Sequence, residues 1–269
     1  EEKKRCWTLN YAEDDGIGFH IDILPSVPES SDFINHLVAN GISLERALKS
    51  IAITNKEEKG VYSWSASNPN GYAEWFEEIN KPVFEQIKIV HKAYIFENNK
   101  TIFNKIDEVP DQLVKTPLQR AIQVLKRHRD VRFAGHEWEA DKPISMIITT
   151  LSSQVYQHEM DVFSTLKNIV EKLSTLEQLL HPEIKFSGDL TLRKLIDRNK
   201  DGHWIISNPV NPAENFADRW HENGNRKAKA FFQWISWVKE DLIDILQYAD
   251  VGKITEALER RFGENIISK

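Results

Sequence analysis

The chain has 269 residues, of which 41% are hydrophobic and 28% charged, with a formal net charge of −6. That is the composition of an ordinary globular protein of one large or two small domains. The acidic balance excludes capture of long nucleic acid by the molecule as a whole, so any polyanion must meet a local basic patch. A single cysteine, Cys6, excludes an internal disulfide framework. No apolar run approaches the ~20 residues of a membrane span, and Glu1-Glu2-Lys3-Lys4-Arg5 is not followed by a leader's apolar stretch. A reducing, cytoplasmic setting with no membrane partner is expected. The chain opens without Met, as a processed or truncated piece would.

Residues 5–28 read as strands. Trp7, Leu9 and Tyr11 alternate with Thr8 and Asn10, Asp14-Asp15-Gly16 is turn chemistry, and Phe19, Ile21 and Ile23 alternate with His20 and Asp22 before Pro25. Period two points Asp22 away from the apolar face. The rest reads mainly as helix. Ser31 caps a helix ending near Gly41, and Ser43 caps the next. Gly71 to about Phe96 has helical spacing, with Pro82 at a break or a start. Thr116-Pro117-Leu118-Gln119 is a capping box with proline in the first turn, and Leu118, Ile122 and Leu125 form its apolar face. Pro143 opens a helix through Tyr156 that buries Ile144, Ile147 and Ile148, with a strand over Ile147-Ile148-Thr149-Thr150 as the alternative. Phe163, Leu166, Ile169, Val170 and Leu173 mark another, and Ala230 to Leu246 closes the set. The fold class is therefore α+β: a short strand-rich front joined to a large helical body. The front supplies fewer strands than a complete sheet needs.

Asp22, fixed on a strand between apolar residues, has the carboxylate that Mg²⁺ coordination asks for; a solvated strand aspartate is the plainer alternative. From Lys115 to Arg132 six basic residues (Lys115, Arg120, Lys126, Arg127, Arg129, Arg132) face only Asp130. Lys126 and Arg129 share a helix face, a cluster suited to a triphosphate. The alternatives are a solvated face and a simple Lys126–Asp130 pair. Ser207-Asn208-Pro209-Val210-Asn211-Pro212 is a stiff loop whose asparagines bond either a base edge or the backbone, and turn chemistry is the simpler reading. Ser67-Asn68-Pro69-Asn70-Gly71-Tyr72 is a similar turn before a helix. His20, His128 and His221 lack metal-ligand spacing and read as structural or solvated. The eight tryptophans read as core and packing groups.

Five segments in order carry a resemblance over nearly the whole chain. They are Cys6–Tyr11 leading to Gly18-Phe19-His20-Ile21-Asp22-Ile23-Leu24-Pro25; Ser67-Asn68-Pro69-Asn70-Gly71-Tyr72-Ala73-Glu74-Trp75-Phe76; and Lys115 through Asp130. Lys142-Pro143-Ile144-Ser145 and Asn208-Pro209-Val210-Asn211-Pro212 with Glu214 through Trp220 complete the set. The chain resembles the cGAS/DncV-like nucleotidyltransferases, bacterial CD-NTases related to oligoadenylate synthetase. The resemblance implies a partial polymerase-β-like sheet with connecting helices over 1–110 and a helical, oligoadenylate-synthetase-like nucleotide-binding domain over 111–269. It implies two Mg²⁺ ions, or Mn²⁺ in their place, held by three carboxylates of which Asp22 matches the third. It implies Lys126 and Ser145 on the donor triphosphate and Asn68, with Ser67, at a base.

The parent activity it implies is synthesis of a cyclic di- or trinucleotide from nucleoside triphosphates, for anti-phage signalling through a separate effector protein. Sequence-specific nucleic acid is not among the expected partners. The chain departs from the family pattern: no Gly-Ser loop with an acidic pair precedes Asp22. Alone it is expected to be an inactive fragment. A non-catalytic nucleotide-binding module and an RNA-directed nucleotidyltransferase are the two rivals, the second opposed by the net charge and the single short basic helix.

Overall fold

The computed structural model describes residues 2, 6–11, 19–57, 60–181 and 183–244. The expected turn at Asp14-Asp15-Gly16, Gly18 and the end of the last predicted helix at Leu246 lie outside these residues. The chain divides into two compact units, 1–76 with 207–214, and 77–206 with 215–269. The division falls at Glu77, earlier than the boundary expected near residue 110, and the Asn-Pro loop groups with the first unit.

In the first unit, β1 (Trp7–Asn10) and β2 (His20–Ile23) pair antiparallel, with Thr8 opposite Asp22 and Leu9 opposite Ile21. The predicted alternation holds, but neither face is buried. Trp7, Leu9, Tyr11, Phe19, Ile21 and Ile23 are all exposed, and only Thr8 of these strands is enclosed. A second sheet has the order β3 (Ser26–Pro28), β4 (Ile51–Lys56), β5 (Tyr62–Ser67), all antiparallel. Strands β4 and β5 overturn the expectation of helix after residue 28. Their signals were present: β-branched Ile51-Ala52-Ile53-Thr54, and Tyr62 and Trp64 alternating with Ser63, Ser65 and Ser67. Between β3 and β4 lie α1 (Ser31–Ala39) and α2 (Leu44–Ala47). The cap of α1 is Ser30, one residue before the expected Ser31, and Ser43 caps α2 through the Arg46 N–H.

Helix α3 (Pro69–Asn98) begins in the first unit and continues into the second, straight through Pro82. The proline was expected at a break or a start. It removes one ladder bond, at a cost of about 3 kcal/mol, and burial of Val83 and Ile87 immediately after it opposes that loss.

The second unit is helical. It contains α4 (Pro117–Phe133), α5 (Ser145–Val155), α6 (Val162–Ser174), the short α7 (Leu190–Arg193) and α8 (Glu222–Val238), followed by a π-helical segment, Lys239–Asp244. One short ladder, β6 (Asp197–Arg198) with β7 (Trp204–Ile205), lies here, and a second, β8 (Ser207–Asn208) with β9 (Asn211–Asn215), falls in the Asn-Pro segment grouped with the first unit. The capping box of α4 forms as expected, with Thr116 accepting from Gln119 N–H and Gln119 Oε1 accepting from Thr116 N–H. Leu118, Ile122, Leu125, Ile147, Ile148, Leu166, Ile169, Trp234 and Ile235 make the core, so the predicted apolar stripes are the buried ones. Ile144 is the exception: it is the residue before α5 and is exposed.

Of the tryptophans, Trp204, Trp220 and Trp234 are core residues, while Trp7 and Trp64 stand on exposed strand faces, contrary to the uniform packing role expected. His128 is structural. Its Nδ1 accepts from the Trp234 indole N–H at 3.1 Å and its Nε2 lies 3.1 Å from Asp241 Oδ2. Indole only donates, so this pattern places the imidazole proton on Nε2.

Candidate functional site

The basic segment of α4 separates into charges the fold uses and one it leaves open. Arg129 is almost enclosed, with its side chain 10% exposed. Its Nε donates to Asp130 Oδ1 at 2.9 Å, and its Nη1 donates to the Pro143 carbonyl at 3.0 Å and to Ser145 Oγ at 3.1 Å. Asp130 also faces Lys142 Nζ at 3.7 Å. The simple Lys126–Asp130 pair considered from the sequence does not form, because Asp130 is taken by Arg129 and Lys142.

Lys126 is half-buried and has no ion-pair partner among the described residues. Burial, and then the Arg129 charge beside it, push its pKa below the usual lysine value. An anion at this point would offset both effects. Ser145 is the first residue of α5, and the preceding Ile144 supplies no side-chain cap to the opening amides of that 11-residue helix. Such a terminus favours an anion through its N–H groups and its dipole. Lys126, Arg129 and Lys142 against Asp130 are three cations to one carboxylate. The cluster can hold a polyphosphate.

The loop leading to Ser145 is fastened from α8. Arg226 Nη2 donates to the Glu137 carbonyl at 2.7 Å, and its Nε lies 2.7 Å from Asp141 Oδ2. Lys227 Nζ donates to the Ala140 carbonyl at 3.0 Å and to Asp141 Oδ1 at 3.1 Å. These three side chains were missed from the sequence. The available signal was Asn223-Gly224-Asn225, three residues in left-handed conformation that start α8 before the expected Ala230.

The other predicted residues lie in the first unit. Asp22 is exposed on β2, and its Oδ1 accepts from Thr8 Oγ1 at 2.5 Å. Ser67 ends β5 opposite Ile51. Asn68 is enclosed at 1% exposure. Its Oδ1 caps α3 by accepting from Gly71 N–H at 2.9 Å, and its Nδ2 donates to the Arg46 carbonyl at 2.9 Å. That is the helix-cap role, and the amide expected at a base is occupied by backbone. Asn208 behaves alike: Oδ1 accepts from Val210 N–H at 2.9 Å and Nδ2 donates to Glu214 at 2.8 Å, the turn reading of the Asn-Pro loop.

Mg²⁺ asks for a near-octahedral oxygen set. Among the described residues no three His, Cys, Asp or Glu side chains converge on a point that would hold a metal ion. Asp22 offers one carboxylate, and the described residues alone do not fit the ion. Also among them, no helix is long and apolar enough to cross a membrane.

This arrangement of antiparallel strands and helices is similar to the fold of a solved CD-NTase. The chain matches the solved structure of the Bradyrhizobium diazoefficiens CD-NTase CdnG in complex with GTP, with a TM-score of 0.60 and 17% identity, over 100% of this chain and 67% of that one. It is also 28% identical over 238 residues to a c-di-GMP synthase of Roseivirga ehrenbergii, covering 88% of this chain. The chain spans about half (49%) of the length of that curated relative. No family model matches it.

Proposed function

We propose that this chain is the triphosphate-gripping part of a nucleotidyltransferase that joins nucleoside triphosphates into a cyclic dinucleotide. The observation that carries the reading is Lys126: a half-buried ammonium with no ion-pair partner among the described residues, near enough to Arg129 to feel its charge, while Arg129 bonds Ser145 at the start of α5. GTP is the substrate of first choice, because the curated relative is a c-di-GMP synthase and the solved neighbour holds GTP. In this reading Lys126 neutralises the triphosphate and Ser145 and the first amides of α5 bond it; Ser67, with Asn68 shaping its turn, is a separate candidate for a base. Asp22 is one carboxylate of a Mg²⁺ (or Mn²⁺) site whose other ligands lie outside the described residues. The product serves anti-phage signalling through a separate effector. Residues 1–269 alone bind nucleotide and do not turn it over.

A calorimetric titration of the 269-residue chain with GTP, beside a pyrophosphate-release assay with Mg²⁺, tests this. Saturable GTP binding that is lost in Lys126→Ala supports the site. No binding overturns it, and pyrophosphate release abolished by Asp22→Asn overturns the claim of inactivity. The lack of a converging carboxylate cluster among the described residues favours one other reading, a non-catalytic nucleotide-binding module. That reading requires the protein as its gene encodes it to release no pyrophosphate.

A further inference from the structure

Arg129 shares a helix face with Lys126, and by residue type it reads as a second phosphate ligand. Its surroundings assign it differently. The guanidinium is nearly enclosed, its charge is met by Asp130, and its Nη1 is spent on Pro143 and Ser145. A hydroxyl has one proton and two lone pairs. At 3.1 Å the arginine N–H occupies a lone pair of Ser145 Oγ, because a guanidinium only donates. The hydroxyl proton must then point elsewhere. Ser145 is exposed and stands where the first amides of α5 also present protons. The same Nη1 holds the Pro143 carbonyl, which fixes the backbone two residues before Ser145.

Resting on the proposed function, we infer that Arg129 is a positioning residue: it bonds the Ser145 oxygen so that the hydroxyl proton is committed to a phosphate oxygen of the bound nucleotide, and it does not itself touch that phosphate. The planar fork is essential to this role, because one nitrogen of Arg129 spans both the carbonyl and the hydroxyl while the others keep Asp130. A lysine ammonium, a point charge on a flexible stem, does not reproduce it.

The experiment is a double-mutant cycle on the 269-residue chain, with Arg129→Lys, Ser145→Ala and both together. Affinity for GTP and for guanosine is measured by calorimetry, and folding is checked by thermal melting. Expected are losses in GTP affinity of roughly tenfold for each single variant, no further loss in the double variant, and unchanged guanosine binding. Ser145→Ala leaves the Arg129–Asp130 pair intact, so it reports on the hydroxyl even where Arg129→Lys melts early. Wild-type affinity in Arg129→Lys overturns the inference, since charge alone would then suffice. Additive losses overturn it as well, since Arg129 would then act independently of Ser145. GTP binding that is absent in the unmodified chain, or no tighter than that of guanosine, overturns the reading beneath it, and the inference with it.

Discussion

Lys126 carries a charge that the fold makes costly to keep, and two consequences follow at that residue. Lys126→Ala is expected to weaken GTP binding by about 1.5–3 kcal/mol, roughly 10- to 100-fold, the usual worth of a hydrogen bond to a charged group. It is expected to leave the melting temperature unchanged or higher, because a half-buried charge without an ion-pair partner is removed. The folded pKa of Lys126 is lowered from 10.5, so the folded state releases its proton first as pH rises. Stability is therefore expected to rise as pH climbs through the window below 10.5, while GTP affinity falls there. Tyr156 titrates the other way. Burial, and then the Glu159 carboxylate, raise it to about 12, and its hydroxyl donates to the Glu159 carbonyl at 2.9 Å. The folded state holds this proton longer than the unfolded one, whose tyrosine titrates near 10. The stabilisation is thus full below pH 10 and lost as pH rises towards 12. Comparing absorbance titrations of the wild type and Tyr156→Phe checks the value; a phenol ionising near 10 in the folded protein would contradict it.

At the scale of elements, the start of α3 is held by a contact between two residues that admits little change. A Cβ at Gly71 would lie 2.6–2.8 Å from the Asn68 side-chain amide, the group that caps the helix. Gly71→Ala is expected to displace that cap and to cost about as much as Asn68→Ala, roughly 1–2 kcal/mol by denaturant unfolding. The two effects should not add, because each removes the same bond. The start of α8 depends on left-handed backbone instead. Gly224 has φ +67° between two asparagines that are also left-handed. Gly224→Ala is expected to cost about 1 kcal/mol. Any loosening of Arg226 and Lys227 that accompanies it should appear as weaker GTP binding, because those residues fasten the loop that ends at Ser145.

For the molecule as a whole, the net charge of −6 repels a triphosphate at long range, and in the proposed reading the attraction comes from the Lys126 cluster in the second unit. GTP affinity is therefore expected to weaken with added salt, but only modestly, because Lys126 and Arg129 are partly or nearly enclosed and so poorly screened. A steep salt dependence over 50–500 mM potassium chloride (roughly a hundredfold or more) would place the nucleotide on the exposed face of α4 instead. The first unit behaves differently as a body. Its β1–β2 ribbon leaves apolar side chains exposed on both strands, and among the described residues its ladders β1–β2, β3–β4–β5 and β8–β9 do not pair with one another.

The sequence alone determined the elements whose signals are local. The capping box at Thr116, the caps at Ser43 and near Ser30, and the buried stripes of α4, α6 and α8 are written in residue spacing, because caps and helix faces repeat within a few positions. The order of motifs pointed to the nucleotidyltransferase resemblance for the same reason. Tertiary structure decided what depends on partners distant in the chain. The sequence did not show that β4 and β5 are strands, since a strand needs a neighbour to hold its backbone. Nor did it show that α3 runs through Pro82, since packing on either side outweighs one lost bond. The division of labour along α4 was hidden too: Lys126, Arg129 and Asp130 look alike as members of a charge run. Only the approach of residues 142–145, fastened from α8, takes up Arg129 and Asp130 and leaves Lys126 as the unmatched charge.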